Sequence, residues 1–281
     1  MSEAGWAGED YWVHPDNRGG FEDWFGFNLS NNFYRTFYCH GEQVAPLALD
    51  GYQTDALTDL ALQYLSDYDF DQPWFHVLSM ESPHPGTGGN PKYEGFPAPS
   101  EYEDRFEPGR IRLRDNVPSD KRNQAGQRLC GYYAMIANLD YNVGRILDWL
   151  DQTGQSQQTL VVFFSDHGDM MGNQGLWSKQ APYDESIRIP AMLRFPQGLE
   201  EGKVYSGYGK RGRYISDMCR FVPSQGRCLG AGNGSIGRNR HNWKPRTRGG
   251  IYPVGWARSF PFRRPSISSF THRAAHLRGG S

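Results

Sequence analysis

The sequence predicts an α/β fold, with a mostly parallel central sheet flanked by helices. Two short apolar runs, 74–80 and 159–164, each follow a stretch with apolar residues at helical spacing, and a third run occupies 189–195. A continuous apolar run of this length suits a strand covered on both faces, as in a parallel sheet.

Residues 1–50 crowd Phe21, Trp24, Phe25, Phe27, Phe33, Tyr34, Phe37 and Tyr38 among Gly and Asn, which predicts irregular chain packed on a core. A helix is predicted over 54–66, where Leu57, Leu60, Ala61, Tyr64 and Leu65 share a face and Thr54 or Asp55 can cap the start. Pro73 interrupts, and Trp74-Phe75-His76-Val77-Leu78-Ser79-Met80 reads as a buried strand that runs into a turn at Glu81-Ser82-Pro83-His84-Pro85-Gly86. Residues 87–118 are rich in Pro, Gly and charge and predict a long loop. The strongest helix signal covers 121–152, with Leu129, Tyr132, Tyr133, Ile136, Leu139, Val143, Ile146, Leu147 and Leu150 on one apolar face and Gly154 as the stop. The strand Thr159-Leu160-Val161-Val162-Phe163-Phe164 follows, then a polar loop, then the strand Ile189-Pro190-Ala191-Met192-Leu193-Arg194-Phe195.

The net charge of −1 conceals two compositions. Residues 204–281 hold thirteen Arg, two Lys and one acid, Asp217, for +14, whereas residues 1–203 hold 15 basic and 30 acidic groups, for −15. The chain therefore divides into a folded part, 1–203, and a basic Gly/Arg-rich tail, 204–281, expected to be disordered or out of frame. One reading of the tail is an arm that neutralises nucleic-acid phosphates. The other is a shifted reading frame after about residue 203, and it is preferred because the switch falls inside a domain rather than at a linker. A nucleic-acid partner is accordingly not expected.

No run of eighteen apolar residues occurs, so no membrane span is expected. The start, Met1-Ser2-Glu3-Ala4-Gly5-Trp6, lacks the apolar segment of a secretory signal, and the compartment is left open. Cys39, Cys130, Cys219 and Cys228 show neither zinc-site spacing nor a disulfide framework and are expected as scattered or buried thiols.

The chemistry concentrates at Phe163-Phe164-Ser165-Asp166-His167-Gly168-Asp169. Asp166 and His167 leave the C-terminal end of a predicted strand, the edge where open α/β sheets bind ligands. A carboxylate beside an imidazole can ligate a divalent cation there, and Gly168 lets the backbone turn away. The alternative is a helix cap from Asp166 beside a hydrogen-bonded His167.

Downstream, Gly175-Leu176-Trp177-Ser178-Lys179 leads to Tyr183-Asp184-Glu185-Ser186 and Arg188-Ile189-Pro190. In this order and spacing the stretch 165–190 resembles the sulfatase signature. Gly51-Tyr52-Gln53-Thr54-Asp55 is similar to the family's Tyr-x-Thr-Asp helix start, Pro73-Trp74-Phe75 through Pro83-His84-Pro85 resembles the strand and turn that carry an active-site His, and Tyr133 through Gly144 resembles its long helix. The resemblance covers roughly 18–195. It implies an alkaline-phosphatase-like sandwich, present in part, with Asp166 and His167 as ligands of calcium or another divalent cation. It also implies that Lys179 contacts the sulfate group, and that His84 sits beside the sulfate and assists protonation of the leaving group. These roles fit a reaction that gathers donors around sulfate oxygens and protonates a departing alkoxide.

The family's nucleophile, a formylglycine made from Cys or Ser in Cys/Ser-x-Pro-x-Arg, has no counterpart upstream of these motifs; Cys39 and Cys130 stand in other contexts. Ser259-Phe260-Pro261-Phe262-Arg263 matches formally but lies in the basic tail, and Gly232-Asn233-Gly234-Ser235-Ile236-Gly237 matches a dinucleotide pattern without its strand and helix. The expectation is a fragment of a sulfuric ester hydrolase whose parent acts on sulfate monoesters of sugars, aryl groups or small alcohols, the chain alone being inactive. The alternatives are a phosphonate or phosphodiester hydrolase of the same superfamily, or a non-catalytic binding remnant.

Overall fold

The computed structural model describes residues 12–204 apart from 28, 29, 69, 71, 72 and 90. The basic tail, its two short pattern matches, Cys219, Cys228 and the first residues of the chain lie outside the described residues.

Residues 25–49 are more regular than their composition predicts. Strands β1 (Phe25–Gly26), β2 (Thr36–His40) and β3 (Gln43–Leu49) form an antiparallel sheet in the order β1-β2-β3. The signal overlooked in the sequence is Gly41-Glu42, a two-residue connection in which Gly41 takes φ 55° and His40 pairs with Gln43. Pro46 is tolerated because β3 is an edge strand.

Helix α1 (Gln53–Ser66) forms as expected and buries Ala56 and Leu57 against Phe27, Cys39 and Leu49. Its capping differs from expectation. Tyr52 occupies the N-cap without a side-chain cap bond, while the Thr54 hydroxyl meets Ser82 and the Asp55 carboxylate meets Asn138. A short helix, α2 (Ser100–Glu103), interrupts the long loop, and its Glu103 carboxylate accepts the Lys92 and Ala98 amides at 3.0 and 3.3 Å.

Helix α3 (Arg122–Gln152) runs for 31 residues and stops just before Gly154, which takes φ 71°. Of its predicted apolar face only Leu139 and Leu150 are buried; the rest are half-buried. The buried stripe runs instead through Ala125, Cys130, Gly131, Ala134, Met135, Asn138 and Asn142. The cause is close approach: a Cβ on Gly131 would stand 2.6 Å from the Cβ of fully buried Phe96, so the loop bearing Phe96 lies directly on the small-residue face.

Strand β4 (Val161–Phe164) pairs antiparallel with β5 (Ala191–Arg194), Val161 opposite Arg194 and Phe164 opposite Ala191. The mostly parallel central sheet predicted from the sequence is therefore not what the described strands form. An apolar run dictates extended chain but not the direction of its neighbour. The connection 165–190 folds back on itself through Met170–Ser178 and Gly168–Ser186 backbone bonds rather than forming a crossover helix, so β5 returns antiparallel. Residues 73–80 join no ladder, and Phe75 and Phe164 stay 71% and 65% exposed where burial was expected. A short helix, α4 (Asp184–Ile187), precedes β5. Among the described residues no helix is long and apolar enough to cross a membrane.

Candidate active site

The chain leaves β4 at Phe164, and the Ser165 hydroxyl donates to the His167 carbonyl at 2.7 Å, closing a tight turn. No helix begins here, so Asp166 is not a helix cap; its Oδ1 accepts the His167 amide at 2.9 Å. The His167 Nδ1 lies 2.7 Å from the Gly168 carbonyl. A carbonyl only accepts, so the neutral ring carries its proton on Nδ1 and keeps a lone pair on Nε2. That Nε2 stands 3.3 Å from Asp166 Oδ2. Two cis ligands at about 2.1–2.4 Å from a cation are separated by roughly 3.0–3.4 Å, so the pair fits one divalent ion. Among the described residues no group of three or more His, Cys, Asp or Glu is arranged to hold a metal, so this is a two-ligand edge and not a complete cage.

Gly168 holds this turn against the next part of the loop. Its amide donates to the Ser186 carbonyl at 2.7 Å, and the Glu185 carbonyl fills the space a Cβ would take. The Ser186 hydroxyl in turn donates to the Lys179 carbonyl, which ties the lysine's backbone to the same layer. Glu185 Oε1 accepts from Arg114 Nη1 at 2.8 Å and Asn116 Nδ2 at 3.0 Å. Burial works to raise the Glu185 carboxyl, but its hydrogen bonds and the Arg114 charge outweigh this and hold it below the usual range. Between His167 and Lys179, Met171, Gln174 and Ser178 all take positive φ (46°, 57° and 65°), a concentration of left-handed non-glycine residues of the kind found where a surrounding structure dictates loop shape.

His84 comes from a separate turn, after residue 80. Its amide donates to the Glu81 carbonyl at 2.8 Å, and its Nδ1 donates to the Pro85 carbonyl at 2.8 Å, leaving Nε2 as the second ring nitrogen. Burial pulls the imidazole below its ordinary value. The Pro85 carbonyl opposes this, the Lys179 ammonium and the neighbouring His167 ring add to it, and the Asp169 carboxylate opposes it. His167 and Lys179 thus both lie within electrostatic reach of His84, and Asp166 is joined to His167. Lys179 itself is solvent-exposed.

Two features escaped the sequence reading. Asp169 belongs to the quoted motif but was given no task; its charge acts on both His84 and Tyr132, whose hydroxyl is pushed up to about 12, mainly by burial and further by Asp169. Its Oδ1 accepts the Met171 amide at 2.9 Å. Glu81, beside the His84 turn, is half-buried and its carboxyl is pushed up to about 7 by that burial, a shift that a hydrogen bond from Gln53 only partly offsets.

The fold is the alkaline-phosphatase-like α/β fold. The solved structure of yidJ from Bacteroides fragilis superposes with a TM-score of 0.58 at 25% identity, over 68% of this chain and 41% of that one. The family model described as Sulfatase matches residues 2–219, and the chain belongs to the sulfatase family. That match begins before and ends after the 18–195 stretch carrying the motifs. Among curated relatives, the ulvan-active sulfatase of Formosa agariphila is 30% identical over 67% of this chain, and the choline-sulfatase of Rhizobium meliloti is 29% identical over 69%. The chain spans 36% and 40% of their respective lengths.

Proposed function

We propose that this chain carries the cation edge and the sulfate-facing groups of a sulfuric ester hydrolase. The observation that supports this reading best is the 3.3 Å approach of His167 Nε2 to Asp166 Oδ2 in the turn after β4, with His84, from a separate turn, within electrostatic reach of both His167 and Lys179. Asp166 and His167 are the candidate ligands of calcium or another divalent cation. A cation bound there supplies positive charge where the ester's negative charge grows. The Lys179 ammonium offers a charge-assisted hydrogen bond to a sulfate oxygen. His84, with Nδ1 held by Pro85, presents Nε2 as the group that protonates the leaving oxygen. Its ring is biased toward the neutral form, and an arriving anion shifts it toward the protonated form that this task requires. The substrate class is a sulfate monoester of a sugar, aryl group or small alcohol.

The sequence has no Cys/Ser-x-Pro-x-Arg upstream of β4, so the proposal is binding without turnover by this chain alone. The test is to titrate inorganic sulfate into the chain and two variants, and to assay 4-nitrophenyl sulfate and bis(4-nitrophenyl) phosphate in parallel. Lys179→Ala and His84→Ala are each expected to weaken sulfate binding by roughly tenfold, the effect of losing one charge-assisted hydrogen bond. Neither ester is expected to turn over. Sulfate affinity unchanged in both variants rejects the site, hydrolysis of the aryl sulfate rejects the inactivity, and hydrolysis of the phosphate diester favours a phosphodiesterase reading.

A further inference from the structure

The His84 turn is gripped from behind by the first residues of α1. The Thr54 and Ser82 hydroxyls share a 2.6 Å hydrogen bond, and the Tyr52 hydroxyl lies 3.5 Å from Ser82 while donating to the Pro97 carbonyl at 3.0 Å. Gln53 Nε2 donates to Glu81 Oε2 at 3.2 Å and to the Thr36 hydroxyl at 3.0 Å. Gln53, Thr54, Thr36, Tyr52 and Ser82 are all buried. On the far side of His84, the Gly86 amide donates to the Gly95 carbonyl at 2.9 Å, and a Cβ at Gly86 would stand 2.3 Å from the Asn31 carbonyl oxygen. His84 thus lies between two anchored positions, with Pro83 and Pro85 as its neighbours, each fixing its own φ. Little freedom remains for the imidazole to change height or direction once residues 81–82 are pinned.

We propose that Thr54 is a positioning residue for His84, acting through its hydroxyl pair with Ser82. Polar side chains at the start of a helix usually serve that helix. Here the Thr54 hydroxyl is used across the core on the turn that aims the imidazole, and the Gln53 amide holds Glu81, the residue before Ser82. The consequence for reaction chemistry rests on the sulfatase reading above; the mechanical coupling of Thr54 to His84 does not.

The experiment uses the full chain and follows the His84 imidazole nitrogens by long-range 1H–15N spectra, with and without inorganic sulfate. Thr54→Val keeps the shape and removes the hydroxyl, Thr54→Ser keeps the hydroxyl, and Ser82→Ala breaks the pair from the other side. Thr58→Val is the structural control. Its hydroxyl is equally buried but bonds the Thr54 carbonyl at 2.8 Å within the helix and does not touch Ser82. The expected result is that Thr54→Val and Ser82→Ala erode the Nδ1-protonated signature of His84 and weaken its response to sulfate by roughly fivefold or more. Thr54→Ser and Thr58→Val should match the parent. His84 spectra unchanged in Thr54→Val, or changed equally in Thr58→Val, overturn the proposal. If sulfate leaves His84 undisturbed in the parent chain, the sulfatase reading fails, and the comparison of ring signatures still decides whether Thr54 positions His84.

Discussion

Replacing Gly168 with alanine is expected to lower the stability of the chain by about 3 kcal/mol or more, in the range of forced overpacking against an immobile partner. The added Cβ would stand 2.0 Å from the Glu185 carbonyl oxygen and 3.0 Å from its carbon. Both are backbone atoms, so no side-chain rotation relieves the clash. Separating the two segments breaks the 2.7 Å bond from the Gly168 amide to the Ser186 carbonyl, and Ser186 is the residue whose hydroxyl holds the Lys179 carbonyl. The loss therefore reaches beyond stability: the cation edge and the lysine part company. Urea unfolding measures the first effect, and sulfate titration of whatever remains folded measures the second. Gly144→Ala is the matched control, because its Cβ would meet open space on α3. There the substitution is expected to stabilise by about 0.5–1 kcal/mol through helix propensity.

The second large effect lies between α1 and α3. Asp55 Oδ1 accepts from Asn142 Nδ2 at 2.6 Å and Asn138 Nδ2 at 2.8 Å, and both asparagines are fully buried. Asp55→Ala leaves two interior amides short of an acceptor. Asn142 retains a 3.0 Å bond to the Asn138 carbonyl, so Asn138 bears most of the damage. The expected cost is about 3 kcal/mol, the scale of losing charged hydrogen bonds while keeping their desolvated donors. Asp55→Asn, which keeps one acceptor oxygen without the charge, should cost about half as much. The urea midpoint measures both, with an unchanged slope indicating that the fold is retained. Equal stability in all three chains would mean that these amides find other partners.

The sequence announced some of this and concealed the rest for identifiable reasons. Helices α1 and α3 were legible to within a residue or so because apolar spacing and Gly154 mark them directly. The buried side of α3 was not legible. Gly131, Ala134 and Asn138 carry little hydrophobic signal, and their burial follows from how closely Phe96 approaches and from Asp55 on another helix. The direction of the β4–β5 pair was hidden because four apolar residues look the same in either orientation. Thr54 and Asp55 were legible as polar residues at a helix start, but their partners, Ser82, Asn138 and Asn142, are distant in sequence. For the site, the adjacent Asp166 and His167 were readable from their position after an apolar strand. Lys179 and His84 came from resemblance alone, and only the folded chain puts Lys179 and His167 within electrostatic reach of His84.

On the proposed function, Asp166, His167, His84 and Lys179 face one cation-and-anion site. Titrating substoichiometric Mn2+ into the chain while observing the imidazole resonances tests it directly, since the paramagnetic ion broadens nearby nuclei. The claim predicts that the His167 and His84 signals broaden together and that Asp166→Ala abolishes both effects. A His84 signal that stays sharp while His167 disappears would contradict it.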